Sequence, residues 1–193
     1  MIAPVAEARL GRALETLARG LAYAGGLVLV AISVLTVLSI TGRALISVGL
    51  GPIRGDFELV ELGCAIAVFL FLPWCQLKRG HVTVDILVDH LPRRGHAGFG
   101  LVGDICVLVA ATLIAWRLYL GFGEKFPYGS DSLRAALSMG FKPFFPETTY
   151  ELELPIWIPY GLALIGAVIF VIVSAYTVWR SLNWTLAGQE GRP

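Results

Sequence analysis

The residues able to do chemistry in this chain are few, and several of them gather in one short run. His81, Asp85, Asp89 and His90 stand within ten positions, and the steps of four from His81 to Asp85 to Asp89 put those three on one helical face. Two ligands at that spacing could share a metal ion. A solvated polar face on a helix lying at a membrane surface explains the same pattern without an ion, and is the reading taken here. Two more acids, Glu61 and Asp104, fall inside long apolar segments, where an ionisable side chain is costly unless it is paired or faces a cavity. Asp104 lies within reach of Lys78 or Arg79, and Glu61 has Glu58 beside it. Ion pairing or contact with another subunit is expected for both, with a conduction path through Asp104 as the alternative.

The three cysteines, Cys64, Cys75 and Cys106, all sit in apolar sequence. Cys64 and Cys75 would be about 16 Å apart on one helix at ~1.5 Å per residue, too far for a disulfide. No C-x-x-C spacing supports redox or zinc chemistry, so they read as small buried hydrophobes. None of the three histidines falls in an apolar segment, which argues against a haem held between helices. No G-x-S-x-G, H-E-x-x-H or phosphate-binding glycine loop occurs. The chain is expected to be no enzyme, and to take no cofactor, metal or nucleic acid.

The elements that must position these residues follow from composition. Of 193 residues, 56% are hydrophobic and 15% charged, against about a quarter charged in soluble domains. Crossing a hydrocarbon core of about 30 Å takes about 20 mostly apolar helical residues, and four segments qualify, near 21–46, 57–77, 97–120 and 154–179. None alternates like a barrel strand. The fold expected is all-α integral membrane, a single domain over 1–193 with four transmembrane helices in a bundle and short amphipathic interfacial helices. One of these covers 81–91, stopped by Pro92; another precedes the first span, where Leu10, Leu14, Leu17 and Leu21 recur at helical spacing between arginines. The first span is read as retained, because its apolar run is too long for a signal peptide and no cleavage pattern follows it.

Four spans put both termini on one side, and that side holds most of the Lys and Arg: Arg9, Arg12, Arg19, Lys78, Arg79, Arg93, Arg94, Arg180 and Arg192. By the positive-inside rule both termini are cytoplasmic. A tight Gly/Pro turn links the first two spans. A loop over 121–153, too long for a plain connector, leads to the fourth and has a possible short helix at 132–139.

The run GDFELVELGCAIAVFLFLPWCQLKRGHVTVDIL, at 55–87, resembles the DctQ-type small membrane subunit of TRAP (tripartite ATP-independent periplasmic) transporters. The matching positions are Asp56, Glu58, Glu61 and Leu62 at the opening of the second span, then Arg79, Gly80, His81, Val82, Val84 and Asp85 after it. Leu154, Pro155, Trp157, Pro159 and Tyr160 resemble the family's approach to its last span; the 121–153 loop is longer than the family pattern. The resemblance implies a subunit of a sodium-coupled secondary transporter in the bacterial inner membrane, taking up an organic acid delivered by a periplasmic binding protein. Substrate and sodium sites then belong to a large membrane subunit, which the small one braces as a scaffold in contact with membrane lipid. Asp56, Glu58, Glu61, Arg79, His81, Asp85 and Asp104 are expected to stabilise the fold or the subunit interface. Glu147, Glu151 and Glu153, on the periplasmic loop, are expected to dock the binding protein. The alternative is a self-contained homo-oligomeric transporter or channel.

Overall fold

The computed structural model describes residues 4–80 and 93–187. These form five α-helices: α1 (Pro4–Ala44), α2 (Asp56–Leu77), α3 (Arg93–Lys125), α4 (Asp131–Ala136) and α5 (Trp157–Ala187), with one 3-10 turn at Ile46–Val48. Four of them are long and apolar enough to cross a membrane. The interfacial helix expected at 81–91 lies outside the described residues.

The four long helices stand in a row instead of closing into a bundle. α1 packs on α2, α2 on α5, and α5 on α3, while α1 meets α5 only briefly. The order in space is therefore α1, α2, α5, α3, with the last of the described helices in the middle. Its residues show why: Ala163, Gly166 and Ala167 are buried, and a side chain at Gly166 would come within 2.5 Å of the Phe69 carbonyl oxygen. Small residues let two backbones approach where lipid supplies no hydrophobic drive to join helices. The outermost helices are correspondingly bare, with Leu27, Val30 and Val34 of α1 and Val102, Val109 and Leu113 of α3 exposed. Cys64 and Cys106 also lie on exposed faces, so they are not the buried hydrophobes that the sequence led us to expect.

The leucine stripe before the first span is not a separate surface helix. α1 runs unbroken for 41 residues, about 60 Å at 1.5 Å per residue and twice the hydrocarbon thickness. Its first turns pack inward: Leu14 and Ala18 join Leu77, Val173 and Tyr176 in a buried cluster, flanked by Trp74, Ile169 and Trp179. Of the stripe itself only Leu14 is buried against the ends of α2 and α5, while Leu10 and Leu17 stay exposed.

Two turns close the far end of the row, opposite the termini. Between α1 and α2 the chain reverses through Gly49 and Gly55, both at positive φ, and a side chain at Gly42 would overlap the carbonyl of Gly51. Between α3 and α5 the hairpin 126–156 carries α4, capped by Ser130, whose hydroxyl accepts from the Leu133 amide. The short helix expected at 132–139 is thus present but ends three residues sooner.

Candidate functional site

At the termini end, a buried polar cluster joins three helices. Asp104 of α3, 7% exposed, accepts hydrogen bonds from Gln76 Nε2 at 3.2 Å, from an Arg79 guanidinium nitrogen at 2.9 Å and from the Ser181 hydroxyl. Gln76 also donates to Thr177 Oγ1 at 2.9 Å, and Arg79 to Ser181 Oγ at 2.7 Å. One carboxylate thereby ties α2, α3 and α5 at a single level. The local backbone places Arg79: it takes a left-handed conformation just past the end of α2, and the following Gly80 amide bonds back to Cys75 O at 2.8 Å. Glycine normally occupies that place, and a side chain there costs about 1–2 kcal/mol. The turn aims the guanidinium across at α3 and α5, where it also lies 5.0 Å from the Trp184 ring centroid. Lys78 turns the other way, pairing with Glu15 of α1 at 2.7 Å. Of the two cations in reach of Asp104, it is Arg79 that makes the pair.

At the far end, acids hold backbone as well as side chains. Glu58, in the first turn of α2, accepts the amides of Glu151 at 2.7 Å and Leu152 at 3.2 Å, and the Glu151 carboxylate accepts the Gly55 amide in return. Asp56 accepts the Ser39 hydroxyl of α1 and its neighbour's amide, with Arg43 3.7 Å away. Glu147 pairs with Lys125 at the end of α3. Of the three acids expected to face a docking partner, Glu147 and Glu151 are thus engaged within the chain; Glu153 stands exposed at positive φ.

Arg134 is the residue that sequence reasoning missed. It is 2% exposed, and its guanidinium donates to six carbonyls, those of Gly123, Phe126, Tyr128, Met139, Gly140 and Phe141, at 2.7 to 3.2 Å. It folds the first half of the hairpin round itself. A single arginine in a Gly/Pro-rich loop carries no local signal for this.

Glu61 is different from all of these. It stands exposed on α2 one turn into the span, with no hydrogen bond or ion pair among the described residues. His81 and Asp85 lie outside the described residues, as do Asp89 and His90 and the metal site imagined for them.

Four helices this long and apolar define a multi-pass membrane protein. A family model described as "Tripartite ATP-independent periplasmic transporters, DctQ component" matches residues 32–183. The chain belongs to that family and is a small membrane subunit of such a transporter; the family is one of transporter components and not of enzymes. No curated protein and no solved structure matches it.

Proposed function

We propose that this chain is the scaffold of a sodium-coupled uptake system for an organic acid, set in the bacterial inner membrane with both termini in the cytoplasm. Substrate and sodium are handled by a large membrane subunit, and a periplasmic binding protein delivers the cargo. The observation that carries this reading is the state of Asp104. Its carboxylate is taken up by three donors, from α2, the turn that ends α2, and α5, which suits a brace and leaves little for an ion to bind. A row of helices with two broad bare sides suits the same role, since a scaffold must offer surface.

Glu61 marks the side on which the large subunit sits. A lone carboxylate facing hydrocarbon is costly, and a cation or hydrogen-bond donor on a partner helix would relieve that cost. The majority of the Lys and Arg at the termini end supports the cytoplasmic placement. Tagged chain taken from its native membrane in mild detergent is expected to bring down a much larger multi-span protein in near-equal amount. Recovery as a defined homo-oligomer, with transport by the purified chain alone, would sink the scaffold reading in favour of a small channel.

A further inference from the structure

The hairpin between α3 and α5 carries an aromatic surface that neither the polar cluster nor the acidic clasps use. Phe141 is 99% and Phe144 92% exposed, and Phe145 stands edge-on to Phe144 with centroids 4.7 Å apart. Exposed apolar patches of this kind mark a surface meant to be covered. The patch is held at its first residue, because Arg134 binds the carbonyls of Met139, Gly140 and Phe141.

Its depth can be read from its tethers. The Tyr119 hydroxyl donates to Leu137 O at 2.6 Å, and Arg134 grips Gly123 O at 2.7 Å. The stretch 137–141 therefore runs beside the last turns of α3, not beyond them. At the other end Glu147 pairs with Lys125 and its carbonyl accepts the Ile156 amide. Residues 141–145 thus cross from the flank of α3 to the start of α5 at the level of the helix ends, where Tyr119, Trp157 and Tyr160 also stand. Aromatic side chains favour that level of a bilayer.

We propose that 141–145 is a foot seated in lipid: the phenyl rings enter the top of the acyl region of the far leaflet, and Lys142 meets the phosphates of the headgroups. Lys142 is exposed between Phe141 and Phe144, which gives the foot an apolar base and a cationic rim, the pattern of a side chain set that snorkels. The nearest glutamate of the hairpin is neutralised by Lys125. A soluble partner that comes and goes would leave three phenyl rings in water between encounters; lipid covers them at all times. The proposal rests on the helices crossing the bilayer and is independent of which partners the chain has.

The test uses the full chain with Cys64, Cys75 and Cys106 replaced by alanine and a single cysteine introduced as Phe141→Cys or, separately, Phe144→Cys. Each is labelled with a fluorophore and placed in nanodiscs of phosphatidylethanolamine and phosphatidylglycerol. The expected result is loss of fluorescence with a lipid that carries a nitroxide near the top of its acyl chain, and a smaller loss with iodide in the water. Stronger quenching by iodide would put the rings in water and overturn the proposal. So would protection from both quenchers, which would mean that protein covers the patch. The two label sites guard against a local folding fault at either one, and neither outcome depends on the large subunit being present.

Discussion

The same four helices are held by opposite means at their two ends. At the termini end the groups that meet are side chains, Asp104 with Arg79, Gln76 and Ser181, all on helices except Arg79, which is in the turn that ends α2. At the far end charged side chains meet main chain: Glu58 takes two loop amides, Glu151 one, and Arg134 six carbonyls. Helices satisfy their own backbone, so only side chains are left to join them. Turns cannot do so, and an irregular segment near the membrane must find donors and acceptors elsewhere. Charge at one end fixes helix against helix; charge at the other mainly folds loops, with Asp56 and Ser39 the one pair there that joins α1 to α2 among the bonds described.

The comparison predicts an order of effects. Asp104→Ala takes its carboxylate partner from the part-buried Arg79 guanidinium, which keeps Ser181, and is expected to cost about 3 kcal/mol, read as a fall in the thermal midpoint of the detergent-solubilised chain. Removing Arg79 as well should recover a large part of that loss; a double variant no better than the single one would break the idea of a pair. Arg134→Lys keeps the charge but cannot reach six carbonyls with one ammonium. It is expected to loosen the hairpin by about 2 kcal/mol, on the scale of hydrogen bonds to charged groups. Amide exchange should rise across 126–141 and stay unchanged in α2 and α5. A matching rise in the spans would show that the two ends are not independent.

Glu58→Gln retains an acceptor for one loop amide but not the charged clasp on two, so faster exchange at 151 and 152 is expected, with the thermal midpoint barely altered. Glu15→Gln should do least. Its pairs with Lys78 and Arg19 are open to water and screened by salt. A midpoint shift as large as that of the Asp104 variant would mean that the first turns of α1 matter far more than their burial indicates.

The spans were legible in the sequence because an apolar block of membrane length has few other meanings. Their ends were less so: α3 runs on to Lys125 and α5 to Ala187, since helix geometry continues where hydropathy stops. The leucine stripe of α1 was read as a surface helix because one spacing serves both lipid and protein; Leu14 alone of the four is buried, and its partners Leu77 and Tyr176 are distant in sequence. Asp104 stood out as a lone acid among apolar residues. Its partner Ser181 did not, because a hydroxyl within a helix usually bonds its own preceding turn, as Ser33 and Thr36 do here. Arg134 was invisible for the converse reason: nothing local tells a buried arginine from a solvated one.

The place of α5 in the row has a consequence for how the protein is made. α1 and α2 are neighbours in sequence and in space, and can join as soon as both have been threaded into the membrane. α3 packs along its length on α5 among the described helices and touches α2 only through the polar cluster, so its main packing waits until α5 has been made. Until then Asp104 also lacks the hydroxyl of Ser181. The middle plank is the last one laid, and a ribosome that stops short of it leaves a hairpin and a stray helix, not three-quarters of a protein.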